Sequence, residues 1–169
     1  LYFPDAGSLD PAALCHAWIR HKNIQLFTSH EVLDFQRKTN RWCVTLLANG
    51  EKGTSEYDIL VMCNNMDASK ISRLPDYPFS YNHGQTDTFE IPEAISIPAI
   101  ALCHKGYLIP WEKDNKRMLT IGGSYAQGRY QSNSSNLLTQ ENLSLLEKLA
   151  PALHKNMIEA QLDSIPRIG

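Results

Sequence analysis

The stretch Gly122-Gly123-Ser124-Tyr125-Ala126 comes nearest to spelling a reactive motif in this chain. A nucleophile elbow reads G-x-S-x-G, because a strained strand-to-helix turn must lift the serine hydroxyl toward a histidine base. Here Ala126 stands where the last glycine belongs, and Gln127-Gly128-Arg129 does not open a helix. Turn chemistry at a strand end is therefore the better account. Histidines at 16, 21, 30, 83, 104 and 154 could hold a metal or carry protons, yet none pairs at i, i+4. No metal site is expected, and only His83, beside Gly84, sits in a suggestive turn. Cys15, Cys43, Cys63 and Cys103 include no C-x-x-C pair to close a zinc site and read as buried free thiols.

Phosphate chemistry lacks its usual cradle as well. A dinucleotide site needs G-x-G-x-x-G so that backbone can approach the pyrophosphate, and a P-loop needs G-x-x-x-x-G-K-[ST]. Neither occurs, and the nine glycines contain one adjacent pair, Gly122-Gly123. Any nucleotide would need residues from elsewhere. Lys and Arg number 16 against 18 Asp and Glu, a net charge of −2, and the basic residues are scattered. A lone nucleic-acid module would show a basic stripe instead.

These residues must be carried by a folded core. A chain of 169 residues that is 43% hydrophobic and 20% charged can bury about two-thirds of its unfolded surface without disulfides or metal. The longest nearly apolar run, Ala94 to Cys103, is half of what a membrane span requires, so no membrane partner is expected. The start carries no basic, then apolar, secretory pattern, and with unpaired cysteines this suggests a reducing, cytoplasmic setting.

Asp10-Pro11 predicts a helix start, since aspartate caps free amides and proline suits the first turn, with the helix ending near Lys22. Ile24–Phe27 and Val32–Phe35 favour extended structure, and Arg41–Leu47 alternates as a half-buried strand. Asn49-Gly50 predicts a tight hairpin with its partner in Tyr57–Cys63, itself expected to be a strand buried on both faces. Phe79–Tyr81 and Thr86–Ile91 are further extended segments between prolines. Gly106–Trp111 and Arg117–Ser124 predict a second hairpin. Leu138, Leu145, Leu146, Leu149 and Leu153 recur at helical spacing, interrupted by Pro151, and Ile158–Ile168 reads as extended. The sum is one α+β domain over 1–169, a mostly antiparallel mixed sheet with helices packed on one side.

Several segments, in order, match a known pattern. Gly7-Ser8-Leu9-Asp10-Pro11-Ala12-Ala13-Leu14 resembles the Gly-Trp-x-x-Pro-x-x-Leu entry to a helix in flavoproteins of the glycine oxidase and D-amino-acid oxidase type. Cys103-His104-Lys105-Gly106-Tyr107-Leu108-Ile109-Pro110 and Ile121-Gly122-Gly123-Ser124-Tyr125-Ala126-Gln127-Gly128 are similar to Cys-Tyr-Asp-Gly-Tyr-Leu-Thr-Pro and Ile-Gly-Ala-Ser-Tyr-x-x-Gly. Those two segments belong to the FAD-dependent half of the bifunctional enzymes that make 5-methylaminomethyl-2-thiouridine in tRNA. His83-Gly84-Gln85 stands at that family's Arg-Gly-Gln, and Leu60–Asn65 at its Val-Leu-Ala-Asn-Gly strand end. Ser8, His83, Lys105 and Asn65 depart from the pattern, Asn65 replacing a glycine that lets backbone pass close to the flavin.

The resemblance implies the substrate-side domain of a two-domain FAD oxidoreductase fold. It implies FAD as cofactor, tRNA as partner through the whole protein, and removal of the carboxymethyl group from carboxymethylaminomethyl-uridine by oxidation of the carbon beside the amine. Tyr107 then matches the tyrosine on the substrate side of the flavin, and Gln85 is a second candidate for the same cleft. Val32 matches the strand whose backbone faces the adenine, and Cys63, Asn64 and Asn65 the strand end near the cofactor. A flanking glycine-rich FAD-binding domain should precede Leu1, and the arginine that grips the substrate carboxylate should follow Gly169. On that reading this stretch alone binds FAD poorly and is inactive. Two alternatives stay open: a glycine-type oxidase with a small amine substrate, and a non-catalytic binding module presenting Tyr107, Trp111 and Tyr125.

Overall fold

The computed structural model describes residues 5–71, 80, 82–103, 105–127 and 134–168. They fall into two compact units, one of Asp10–Phe79 and one of Leu1–Leu9 with Ser80–Gly169.

The first unit opens with α1 (Pro11–Ile19), whose start follows from its cap: Asp10 Oδ1 accepts from Ala12 N at 2.8 Å and Ala13 N at 3.4 Å. Strands β1 (His30–Lys38), β2 (Arg41–Ala48) and β3 (Glu51–Tyr57) then form an antiparallel sheet in that order. Asn49 and Gly50 take φ of 53° and 84°, the pair of positive angles that a two-residue hairpin turn demands. Such a turn returns the chain at once, so Ala48 pairs with Glu51 and β2 is used up opposite Tyr57. The partner strand is therefore 51–57, not the expected Tyr57–Cys63. A small core of Phe35, Cys43 and Val44 lies here, with Phe35 edge-on to Trp42 at 5.8 Å.

Residues 58–64 correct a second expectation. They form no strand and are not buried on both faces; Ile59 is 80% exposed and Val61 75%. The sheet ends at the Trp42–Tyr57 pair, so their backbone finds no ladder to join among the described residues. Ile24, Leu26 and Phe27 are likewise exposed and outside any strand. The thiols differ too, since only Cys43 is buried and Cys15, Cys63 and Cys103 are exposed and free.

The second unit is built on β4 (Asn82–His83), β5 (Gln85–Glu90), β6 (Leu102–Cys103), β7 (Tyr107–Lys113), β8 (Lys116–Gly122), β9 (Ala126–Gln127) and β10 (Ser164–Ile168). Five of them make an antiparallel sheet in the order β10-β5-β8-β7-β6, and β4 pairs with β9. The second predicted hairpin is β7–β8, turned by Asp114 and Asn115 at φ of 51° and 60°. Of the Phe79–Tyr81 segment, Phe79 and Tyr81 lie outside the described residues.

Helix α2 (Asn136–Leu149) starts at Ser135, whose hydroxyl accepts from Leu137 N at 3.2 Å. Pro151 opens α3 (Pro151–Glu159), because its missing N–H costs nothing in a first turn. Phe89, Leu108, Leu119 and Ile121 from the sheet meet Leu146, Leu153 and Met157 from these helices in one core. Each such side chain contributes about 1.5–3 kcal/mol by leaving water. Arg117 donates to Pro92 O and Ile95 O at 3.1 Å each, tying down the loop that brings Ile91 and Ile95 into that core. Antiparallel sheets with helices on one side of the larger one make the chain α+β, as the periodicity predicts.

Candidate functional site

Strand alternation sends Leu108, Leu119 and Ile121 toward α2 and α3, so Tyr107, Ile109, Trp111, Thr120 and Gly122 belong to the opposite face of the sheet. Tyr107 pairs with Gly122, and its ring lies on the backbone there. A Cβ added at Gly122 would stand 2.7 Å from Tyr107 Cζ and 2.8 Å from its hydroxyl, and one at Gly123 would stand 3.5 Å from Cε1. The two glycines are a shelf that only a missing side chain leaves free. Burial pushes the Tyr107 phenol above its ordinary 10.0, so the hydroxyl keeps its proton and offers a hydrogen bond. A cavity of about 250 Å³ between the strand ends and α2 is lined by Gly106, Leu108, Ile121, Asn142 and Leu145, with Tyr107 and Gly122 also contributing to its wall. On the Tyr107 face Trp111 Nε1 donates to Thr120 Oγ1 at 2.9 Å, and the Thr120 and Thr88 hydroxyls meet at 2.8 Å.

Gln85 lies on the other side of the sheet. It is fully buried, and its side chain is committed: Nε2 donates to Thr139 Oγ1 at 2.8 Å and to Asp87, while Oε1 accepts from Ser135 N at 2.9 Å. The period of two along each strand sets its side chain on the face opposite that of Tyr107.

Ser124, the serine of the elbow-like stretch, is buried and paired with Gln85. Its hydroxyl accepts from Gln85 N at 3.0 Å and donates to Gln85 O at 3.2 Å, an anchor rather than a nucleophile. Asn142 completes the anchor, accepting from Ser124 N at 2.8 Å and donating to Gln85 O at 2.8 Å. Asp87 and Asn142 were missed in the sequence, where a polar residue in an apolar period resembles a solvated position. His83 is buried on β4, and its Nδ1 has no partner among the described residues. Among those residues no three His, Cys, Asp or Glu gather as a metal site.

The candidates for cofactor contact lie in the first unit. Val32 is on β1, exposed, beside a register shift between Val32 and Asp34. Cys63 and Asn64 are exposed at the end of the segment that joins no strand, and Asn65 opens a short 3-10 helix, Asn65–Lys70. Asn65 has φ of 48°, the left-handed region that glycine enters freely and asparagine better than most. Backbone here follows the path a glycine would allow. Among the described residues no helix is long and apolar enough to cross a membrane.

Residues 1–165 match the family described as FAD dependent oxidoreductase. Over 164 residues the chain is 26% identical to the tRNA 5-methylaminomethyl-2-thiouridine biosynthesis bifunctional protein MnmC of Pseudomonas entomophila, covering 97% of this chain and 24% of that protein. The same-named protein of Ectopseudomonas mendocina is 27% identical over 96% of this chain, and that of Methylobacillus flagellatus 26% over 94%. The chain thus spans about a quarter of the length of these relatives. The chain belongs to the FAD dependent oxidoreductase family.

Proposed function

We propose that residues 1–169 form the substrate-side domain of a two-domain FAD-dependent oxidoreductase that acts in tRNA wobble-uridine modification. Its reaction removes the carboxymethyl group of carboxymethylaminomethyl-uridine. Bound FAD would accept the hydride from the carbon beside the amine nitrogen. What this chain contributes is orientation: Tyr107 offers a protonated hydroxyl from a ring seated on Gly122 and Gly123. That is the observation on which the reading chiefly rests, together with relatives whose name is that of a tRNA modification enzyme. Val32 would meet the cofactor through backbone, and Cys63, Asn64 and Asn65 would lie near it. We take tRNA contact to depend on the rest of the protein, because the basic residues here are scattered around a net charge of −2.

A flanking FAD-binding domain fits the exposure of Ile59, Val61, Ile24, Leu26 and Phe27 on two segments outside any strand. Exposed apolar segments with no ladder are what strands of a larger sheet would leave without their neighbours. We take the isolated stretch to be inactive. The experiment is the visible absorption spectrum after incubation with FAD and desalting, on this chain and on one extended at both ends. Flavin retained by the extended protein alone is the expected result, and a tRNA oxidation assay then follows. No flavin in either would overturn the assignment and leave a binding module.

A further inference from the structure

Asp87 is fully buried on β5, and no ion pair to it occurs among the described residues. Three side chains replace its water. Gln85 Nε2 donates at 3.1 and 3.3 Å, Thr139 Oγ1 at 2.8 Å and Asn142 Nδ2 at 2.7 Å. Apolar residues of similar volume commonly fill such a place at no loss of stability, so packing alone does not account for a carboxylate.

Both of its oxygens accept in this arrangement. Together with the acceptor Gln85 O this carboxylate orients Asn142, which presents Nδ2 to both and so must present Oδ1 to Ser124 N. Rotating the amide would set its oxygen against the Asp87 carboxylate and its NH2 against the Ser124 amide, unfavourable at both ends. Ser124 directly follows Gly122 and Gly123, the shelf beneath the Tyr107 ring. We propose that Asp87 is a positioning residue for Tyr107: through the orientation of Asn142 it holds Ser124, and with it the glycine shelf on which the Tyr107 ring rests. Asp87 and Tyr107 lie on opposite faces of the sheet, so the influence passes through the β8 strand end and not through contact.

That the positioned phenol serves a substrate rests on the proposed function. The positioning itself is read without flavin or substrate, so the two fail separately. The test is 19F NMR of the full chain labelled with 3-fluorotyrosine, with the Tyr107 signal identified by its loss in Tyr107→Phe. Asp87→Asn puts an NH2 among three donors, and Asn142→Ala removes the link to Ser124. Both are expected to lower the Tyr107 titration midpoint toward that of the same label in the urea-unfolded chain, because a loosened shelf admits water to the phenol. Thr139→Val removes a donor to Asp87 while leaving the Asn142–Ser124 bond, and its midpoint should stay at the wild-type value. Should Asp87→Asn fail to fold, Asn142→Ala against Thr139→Val carries the same comparison. Unchanged midpoints in Asp87→Asn and Asn142→Ala, or an equal fall in Thr139→Val, would overturn the proposal.

Discussion

The ring of Tyr107 occupies the space a side chain at Gly122 would fill, with 2.7 Å from Tyr107 Cζ to the position of the missing Cβ. Gly122→Ala should therefore displace the far end of the ring and little else. Stability is expected to change by no more than about 1 kcal/mol, while the Tyr107 phenol moves into water. Denaturant unfolding and near-ultraviolet circular dichroism together check this: a large stability loss with an unchanged tyrosine signal would contradict it.

Gly106 makes the opposite case. A Cβ there would stand 2.5 Å from the carbonyl oxygen of Gly122, which is backbone and cannot swing aside. Gly106→Ala is expected to cost about 1–3 kcal/mol, as overpacking does, and to lower the thermal midpoint where Gly122→Ala does not.

Leu119 has no exposed surface at the centre of the five-stranded sheet. Leu119→Ala should destabilise the chain by about 2–5 kcal/mol, the lost transfer free energy plus the cavity left behind. Calorimetry checks it. The double substitution Ile59→Thr with Val61→Thr is expected to change the stability of this chain by less than about 0.5 kcal/mol, because both side chains already face water. In a protein extended to include the FAD-binding domain the same pair should weaken folding or flavin retention. An unchanged extended protein would count against a strand-like packing of this segment.

Alkaline pH provides a different kind of test. Burial favours the neutral Tyr107 phenol, so its folded value lies above the unfolded 10.0. The unfolded chain then loses this proton first, and stability falls as pH rises from 10.0 through the folded value, with no contribution to the slope well below that window. Lys116 titrates nearby, raised by its hydrogen bond to Glu90 Oε2 at 2.7 Å and by the charge of that carboxylate. The Tyr107 part is therefore the difference in slope between the chain and Tyr107→Phe, and equal slopes would refute it.

Asn65 provides another. At φ of 48°, Asn65→Gly should be tolerated without loss, whereas Asn65→Val should cost about 1–2 kcal/mol in chemical unfolding. In the extended protein Asn65→Gly should retain FAD at least as well as the parent.

Local chemistry was legible in the sequence. Asp10 announced α1, Asn49-Gly50 announced one hairpin and the segments Gly106–Trp111 and Arg117–Ser124 a second, and the leucine period with Pro151 announced α2 and α3. Each rests on interactions between residues a few positions apart, which a single chain displays directly. Ordered resemblance along the chain supplied the family, since no short motif here is specific enough alone.

The errors were long-range. Tyr57–Cys63 has the composition of an interior strand, but burial depends on a neighbouring strand that composition cannot supply. That the side chains of Gln85 and Tyr107 point to opposite faces of the sheet came from register, which composition does not display either. By itself the sequence determined the α+β class, the turns, the helices and the flavoprotein family, because propensity, capping and order of segments are properties of the chain. Only the tertiary structure decided that Gly122 and Gly123 lie beneath Tyr107, and that Asp87, Asn142 and Ser124 form one buried network. Those contacts join residues up to 55 positions apart, and their geometry exists only once β5, β8 and α2 are packed.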